Sequence, residues 1–129
     1  MNLAPIVFFV YNRPFHTIQS LKYLKHNKLY KKTDLIVFID GPKNDIQDKI
    51  KVSLVQDIIQ NIKGFKSKKI IFRKKNFGLS KNFILGISSV LKKYEKVIVL
   101  EDDNLVSRYF LDYVNSGLEI YKNDKNICA

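Results

Sequence analysis

The sequence has little cysteine and few acidic residues, and it contains no long hydrophobic run. The single cysteine, Cys128, excludes a disulfide within the chain and suits a reducing compartment. No stretch approaches the roughly 20 apolar residues that a membrane-spanning helix needs. The apolar run Ile6–Val10 is too short for the core of a signal peptide. These absences predict a soluble, cytoplasmic protein, and peripheral attachment to the inner face of a membrane is left open.

Basic residues outnumber acidic ones, with 23 Lys and Arg against 12 Asp and Glu, which gives a net charge of +11. This balance favours an anionic partner: nucleic acid, an acidic membrane surface or a phosphorylated metabolite. An AT-rich genome, which encodes much lysine, is the competing explanation. The basic clusters Lys66–Lys69 and Arg73–Lys75 are interpreted as solvated strand ends, and no zinc or RNA-binding signature accompanies them. No nucleic-acid partner is therefore expected.

Short apolar runs alternate along the chain with segments of helical period. Strands without polar alternation, separated by amphipathic helices, are typical of a parallel sheet that is covered on both faces. The sequence therefore predicts a single α/β domain over residues 1–129, with a Rossmann-like parallel sheet and flanking helices. Ser80 is the predicted N-cap of the third helix. The predicted strands are Pro5–Val10, Leu35–Ile39, Ile70–Phe72 and Val97–Leu100.

Polar and charged residues follow every predicted strand. In an open parallel sheet, ligands bind beyond the carboxyl ends of the strands, near the switch in strand order. We therefore expect these residues to form one site. They are Tyr11, Asn12 and Arg13 after the first strand, Asp40 and Gly41 after the second, Lys74, Asn76 and Gly78 after the third, and Glu101, Asp102 and Asp103 after the fourth.

The acidic triplet Glu101–Asp103 is the strongest of these signals, because three acids beside a core are costly without a positive partner. Mg²⁺ or Mn²⁺ commonly takes one or two protein carboxylates and completes its shell with phosphate oxygens and water. Such an ion would stabilise a diphosphate as a leaving group. If the strand continued, Glu101 and Asp103 would project to one side. The competing explanation is a helix N-terminus, which accounts for one acid better than for three.

The other strand-end residues each allow two interpretations. Asp40 can accept a hydrogen bond from a base or a ribose, or it can serve the turn that follows. Arg13 can pair with phosphate or stack on a base, or it can form a surface ion pair. Asn76 and Gly78 permit an unusual loop backbone beside a ligand, although both are also ordinary loop residues.

Taken together, four segments at the strand ends carry a resemblance to a known family. The chain is similar to the GT-A glycosyltransferases, which have the nucleotide-diphospho-sugar transferase fold, and within them to the bacterial family 2 type. The Glu-Asp-Asp form of the acidic motif also resembles the N-acetylglucosaminyltransferase I family. The likeness covers nearly the whole chain, and its segments are Pro5–Pro14, Phe38–Pro42, Asn76–Ser80 and Val99–Asp103.

The resemblance implies the N-terminal, nucleotide-sugar-binding half of a metal-dependent hexosyltransferase of polysaccharide biosynthesis. The implied reaction transfers sugar from a UDP-sugar to a hydroxyl of a saccharide or lipid-linked acceptor, with inversion by analogy. The triplet corresponds to the DxD-type motif of the family, so Asp103 would bind Mn²⁺ or Mg²⁺, and Glu101 and Asp102 would lie nearer the ribose and sugar. Asp40 matches the acid that reads the uracil or its ribose. The remaining implied donor contacts are Tyr11, Asn12, Arg13, Asn76, Gly78 and Lys81.

The chain departs from the family in its length. It stops at Ala129, after one more predicted helix, whereas family members continue and carry the acceptor site and the catalytic base in the second half. The catalytic base is therefore expected to be missing, and we expect a truncated domain with little transferase activity of its own. Two other functions are alternatives. A sugar-phosphate nucleotidyltransferase would want a glycine-rich basic loop where Tyr11–Pro14 stands, and a basic nucleic-acid-binding module belongs to a different class.

Overall fold

The computed structural model describes residues 2–127, and a four-stranded, all-parallel sheet lies at its centre. Strands and helices alternate along the chain, so the predicted α/β fold with a Rossmann-like parallel sheet is confirmed. Cys128 lies outside the described residues. None of the described helices has the length and apolarity to cross a bilayer. The elements are β1 (Ile6–Val10), α1 (Pro14–Leu24), a 3₁₀ helix (Lys28–Lys32), β2 (Asp34–Ile39), α2 (Ile46–Asn61), β3 (Ser67–Phe72), α3 (Leu79–Leu91), β4 (Ile98–Glu101) and α4 (Phe110–Ile120).

The strand order is β3-β2-β1-β4, so β1 lies inside the sheet and pairs with both β2 and β4. Val7, for example, lies opposite Ile36 on one side and Val99 on the other. The chain adds β2 and β3 on one side of β1 and then returns to add β4 on the other side. The order of strands therefore reverses between β1 and β4, and this is where an open parallel sheet usually binds its ligand.

The two faces of the sheet are covered unequally. Alternate residues of β1 point to opposite faces, and those on the first face join a core beneath α1, α2 and α4. Val7 and Phe9 point to the second face, where α3 alone packs on the sheet. Because both faces of the central strands are buried, these strands show no polar alternation, as the sequence predicts.

Close packing of α3 depends on Gly86. A Cβ at this position would lie 2.9 Å from the ring of Phe9, so a side chain there would push the helix away from the sheet. The helix does not reach over β4, where Val99 on the same sheet face is 37 % exposed. One edge of the second face is therefore uncovered.

The boundary of α3 differs from the sequence prediction. The helix begins at Leu79 and its N-cap is Gly78, with φ of 79°, so the expectation that Ser80 caps it is wrong. A positive φ favours glycine. The chain uses this conformation because the N–H of Gly78 donates to Asp40, which lies at the end of a different strand.

Lys68, in β3, closes the C-terminal end of α2. Its Nζ donates to the carbonyl oxygens of Ile59, Gln60 and Ile62 at 2.9, 2.8 and 2.9 Å. Carbonyls in the last turn of a helix lack partners within the helix, so this ammonium satisfies them and complements the helix dipole. Burial and the nearby charge of Lys63 lower the pKa of Lys68. The interpretation of Lys66–Lys69 as solvated strand ends is therefore wrong for Lys68.

Candidate functional site

A cleft of about 330 Å³ lies beyond the carboxyl ends of the strands, at the switch between β1 and β4. The donor-contact residues predicted from the sequence all line it except Lys81, and the predicted metal ligand Asp103 lies outside its lining. Five lining residues were not predicted as site residues: Phe9, Val10, Lys43, Leu79 and Asn82. The residues that the prediction and the cleft share are Tyr11, Asn12, Arg13, Asp40, Asn76, Gly78, Glu101 and Asp102.

Arg13 and Asp102 form a two-point ion pair at the mouth of the cleft. Arg13 Nε lies 3.3 Å from Asp102 Oδ2, and Nη2 contacts the other carboxylate oxygen. Nη2 also lies 3.5 Å from a carboxylate oxygen of Asp103. Burial raises the pKa of Asp102, and the hydrogen bonds and charge of Arg13 oppose that rise. The hydrogen bond to Asp102 in turn raises the pKa of Arg13. One guanidinium therefore meets two of the three acids.

The acidic triplet occupies a turn that neighbouring side chains fix. The β4 strand ends at Glu101, so the alternation that would place Glu101 and Asp103 on one side does not continue. The carboxamide oxygen of Asn104 accepts the Glu101 N–H at 2.7 Å. Ser20 of α1 donates its hydroxyl to the Asp102 carbonyl. As a result, Glu101 is half-buried in the cleft, Asp102 is buried and Asp103 is exposed.

Asp40 organises the loop that precedes α3. Its carboxylate is only 5 % exposed and accepts the N–H groups of Gly41 and Phe77, both at 2.8 Å, and that of Gly78 at 3.1 Å. The Asn76 amide nitrogen lies 3.5 Å from the same carboxylate and donates to the Gly41 carbonyl at 2.9 Å. A carboxylate has about four lone-pair sites, and most of them are used here. The role of Asp40 toward a base or ribose stays a prediction.

Gly41 permits the approach of this loop to β2. A Cβ on Gly41 would lie 2.5 Å from the carbonyl carbon of Lys75 and 2.8 Å from the Arg73 oxygen. Cβ atoms in proteins essentially never lie this close to other heavy atoms. The position therefore requires glycine because there is no space for a side chain, and not because of its backbone conformation. Asp40 and Gly41 therefore hold the β3–α3 loop against the end of β2.

A further carboxylate near the cleft, that of Asp48 in the first turn of α2, was not predicted to belong to the site. It accepts hydrogen bonds from the Tyr11 hydroxyl, from Asn12 Nδ2 at 2.7 Å and from the Lys43 N–H at 2.7 Å. Burial alone would raise the pKa of Asp48, but these hydrogen bonds outweigh it and lower the pKa. Burial and the bond to Asp48 raise the pKa of Tyr11 to about 12. Asp48 lies three residues after Asp45, the N-cap of α2, which accepts its N–H at 3.0 Å.

Phe77 lies between two cations at the rim of the site. The guanidinium of Arg73 is 4.8 Å from the centre of its ring, and Lys81 Nζ is 4.7 Å from it. Arg73 also donates to the buried carboxamide of Asn82 at 3.2 Å. Lys81 is exposed and stacks on Phe77 rather than lining the cleft. These contacts place positive charge beside the cleft without filling it.

Across residues 2–127, no group of three or more His, Cys, Asp or Glu side chains is placed to hold a metal ion. Mg²⁺ and Mn²⁺ often need only one or two protein carboxylates, however. Within the triplet, Asp102 is bonded to Arg13, whereas Glu101 and the exposed Asp103 keep carboxylate oxygens available. An ion held by Glu101 and Asp103 would therefore have to take most of its ligands from water and a bound phosphate, and the Mn²⁺ or Mg²⁺ site stays a prediction.

Comparisons with known proteins add no family assignment. No family model matches the chain, and no curated protein matches it. The resemblance to GT-A glycosyltransferases therefore depends on the residues of the chain itself.

Proposed function

We propose that the cleft binds a nucleotide-sugar donor, a UDP-sugar, and that the chain is the donor-binding part of a metal-dependent glycosyltransferase. The location of the cleft supports this proposal, because the strand order switches between β1 and β4 at that point. Open parallel sheets characteristically bind nucleotides at such a switch. A cytoplasmic location is part of the proposal.

The observation that carries the proposal is the meeting of Arg13 with Asp102 and Asp103 at the cleft. A diphosphate needs positive charge, and a divalent ion that binds it needs carboxylate oxygens; both kinds of group are present here. The side chain of Arg13 is 44 % exposed, so it keeps donors that can reach a phosphate. Glu101 and Asp103 are the residues that would hold Mn²⁺ or Mg²⁺. When bound, that ion would neutralise the diphosphate leaving group.

The side walls of the cleft suit the nucleoside. Tyr11 and Asn12 line the cleft and are held in place by Asp48, and Gly78 also lines it, held by Asp40. Preorganised walls of this kind reduce the conformational entropy that binding would otherwise cost.

No catalytic base is assigned. The carboxylates of Asp40, Asp48 and Asp102 already accept hydrogen bonds from the protein, so none is free to remove a proton from an acceptor hydroxyl. The acceptor, a saccharide or lipid-linked hydroxyl, and the inverting course of transfer belong to the proposal by resemblance alone. We expect donor binding by this chain without measurable sugar transfer.

The test is a calorimetric titration of the chain with UDP, with and without Mn²⁺. We expect binding that requires the metal and that Asp103→Ala abolishes. Asp57→Asn is the matched control, because it also removes one exposed carboxylate but lies on α2. UDP binding with the same affinity in the presence and absence of Mn²⁺ would count against the proposal. An equal loss of UDP affinity in both variants would also count against it.

A further inference from the structure

The positive charge of the chain is concentrated in one segment. Residues 58–94 contain ten Lys and Arg and no Asp or Glu, whereas the rest of the chain has 13 basic and 12 acidic residues and is nearly neutral. This segment comprises the last turn of α2, β3, α3 and the loops between them. Its net charge is therefore +10, against +1 for the rest of the chain.

The fold places β3 and α3 of this segment next to each other. The β3 strand is at the edge of the sheet, and α3 covers the second face beside it. Lys69 of β3 and Lys93, which follows α3, line the same surface groove. Arg73, after β3, donates to Asn82 of α3. Lys68 is the exception, because its ammonium is bonded to the end of α2. Arg73, Lys69 and Lys93, together with Lys81 and Lys92 at the two ends of α3, therefore place positive charge around this helix.

The outer side of α3 carries exposed aliphatic residues and serines but no charge. No charged residue occurs between Lys81 and Lys92, although only the inner side of the helix packs on the sheet. Ile84 and Leu91 are 66 % and 46 % exposed, and their separation of seven residues places them on the same side of the helix, two turns apart. Exposed aliphatic groups of this size are unfavourable in water. The helix thus exposes Ile84, Leu85 and Leu91 to solvent and has lysines at both ends.

We propose that this surface binds the anionic face of a lipid bilayer. Ile84 and Leu91 enter the boundary between head groups and acyl chains, and the lysines at the two ends of α3 contact lipid phosphates. An apolar helix side flanked by lysines is the pattern of helices that lie in a membrane interface. Nucleic acid would also use the positive charge, and DNA binding is an alternative outcome of the test. This inference does not depend on the proposed donor site.

The first test is co-sedimentation of the full chain with vesicles, either of phosphatidylcholine alone or with one third phosphatidylglycerol. We expect binding to the second kind only, and a decline as salt is raised. The double variant Ile84→Ser with Leu91→Ser should bind about tenfold or more weakly. Ile46→Ser with Ile50→Ser is the matched control. It removes two exposed isoleucines from α2 and should keep binding within about twofold.

Charge is tested separately with two variants of equal net charge. Lys92→Glu with Lys93→Glu should reduce binding to the anionic vesicles about tenfold or more. Lys49→Glu with Lys51→Glu, on the opposite side of the sheet, should have a much smaller effect. Circular dichroism and thermal unfolding confirm that each variant is folded.

Three outcomes would overturn the inference: equal binding to both kinds of vesicle, equal losses in test and control variants, or binding to a DNA oligonucleotide without binding to vesicles. UDP titration of the Ile84→Ser, Leu91→Ser variant measures binding in the cleft alone. It therefore separates a failure of the membrane surface from a failure of the donor site. Loss of vesicle binding with intact UDP binding would separate the two surfaces.

Discussion

The guanidinium of Arg13 contacts both carboxylate oxygens of Asp102 at the point where β1 and β4 meet at the cleft. Asp102 is 4 % exposed, and no other basic side chain contacts its carboxylate within salt-bridge distance in residues 2–127. Arg13 also reaches Asp103 at 3.5 Å. The pair therefore ties the first loop to the acidic turn and sets the charge of the site before any ligand binds.

Removal of Arg13 should destabilise the fold. Arg13→Gln leaves the buried Asp102 carboxylate without a cation, and breaking a buried pair costs about 3–5 kcal/mol. Because Arg13 is about half-exposed, we expect a smaller loss of about 1–2 kcal/mol in the free energy of unfolding. Urea denaturation measures this change.

The control for Arg13 is Arg108→Gln, which removes an exposed arginine that lies on the Tyr109 ring. Its free energy of unfolding should change by less than about 0.5 kcal/mol. The double variant Arg13→Gln with Asp102→Asn should recover part of the loss, because it leaves no unpaired buried charge. A double variant less stable than Arg13→Gln alone would contradict this account.

Tyr11 should titrate at a higher pH than a free tyrosine. Burial and the hydrogen bond to Asp48 raise its pKa to about 12, whereas a free tyrosine titrates near 10. The neutral phenol is thus favoured in the folded state. Its stabilising contribution is complete below about pH 10 and is lost as the pH rises through about 12. Ultraviolet absorbance of phenolate follows the titration of all seven tyrosines.

The assignment comes from a difference titration against Tyr11→Phe, which should remove the component near pH 12. Tyr113→Phe is the control, because Tyr113 is 80 % exposed. This control should leave the component near pH 12 in place. Persistence of that component in Tyr11→Phe, or its loss in Tyr113→Phe, would show that Asp48 does not hold Tyr11 in its neutral form.

Lys68 should matter more than its neighbour Lys69. Lys68→Met keeps the aliphatic stem but leaves the carbonyls of Ile59, Gln60 and Ile62 without their charged donor. We expect a loss of about 1–2 kcal/mol in the free energy of unfolding, since some of these carbonyls can turn to water. Lys69→Met changes an exposed side chain in the same strand and should stay within about 0.5 kcal/mol. Equal effects in thermal or urea denaturation would contradict the capping role.

The strands were predictable because their apolar runs are local signals, and the cleft was predictable because polar residues follow each run. The order of the strands in the sheet was not predictable, because the apolar runs do not indicate which strands pair. The roles of Asp40 and Asp102 were also hidden. Their partners, Gly78 and Arg13, lie 38 and 89 residues away in sequence. Both acids looked available to a ligand, whereas the folded chain uses their carboxylates itself.

Lys68 shows the same limit in a different way. A lysine in a basic cluster normally lies in water, and its sequence context gives no other indication. Only the fold brings the end of α2 within reach of its ammonium. A single sequence therefore predicted where charged residues lie, but not which of them bond to the backbone.

The close contact at Gly41 has a consequence for sequence variation among relatives. A side chain at Gly41 would overlap the backbone of Lys75, whereas a Cβ at Gly117 would meet no atom within 4 Å. In an alignment of relatives we expect Gly41 to be invariant wherever Asp40 and Asn76 are kept, and Gly117 to vary freely. Gly41 is thus a marker by which distant members with the same loop architecture can be recognised.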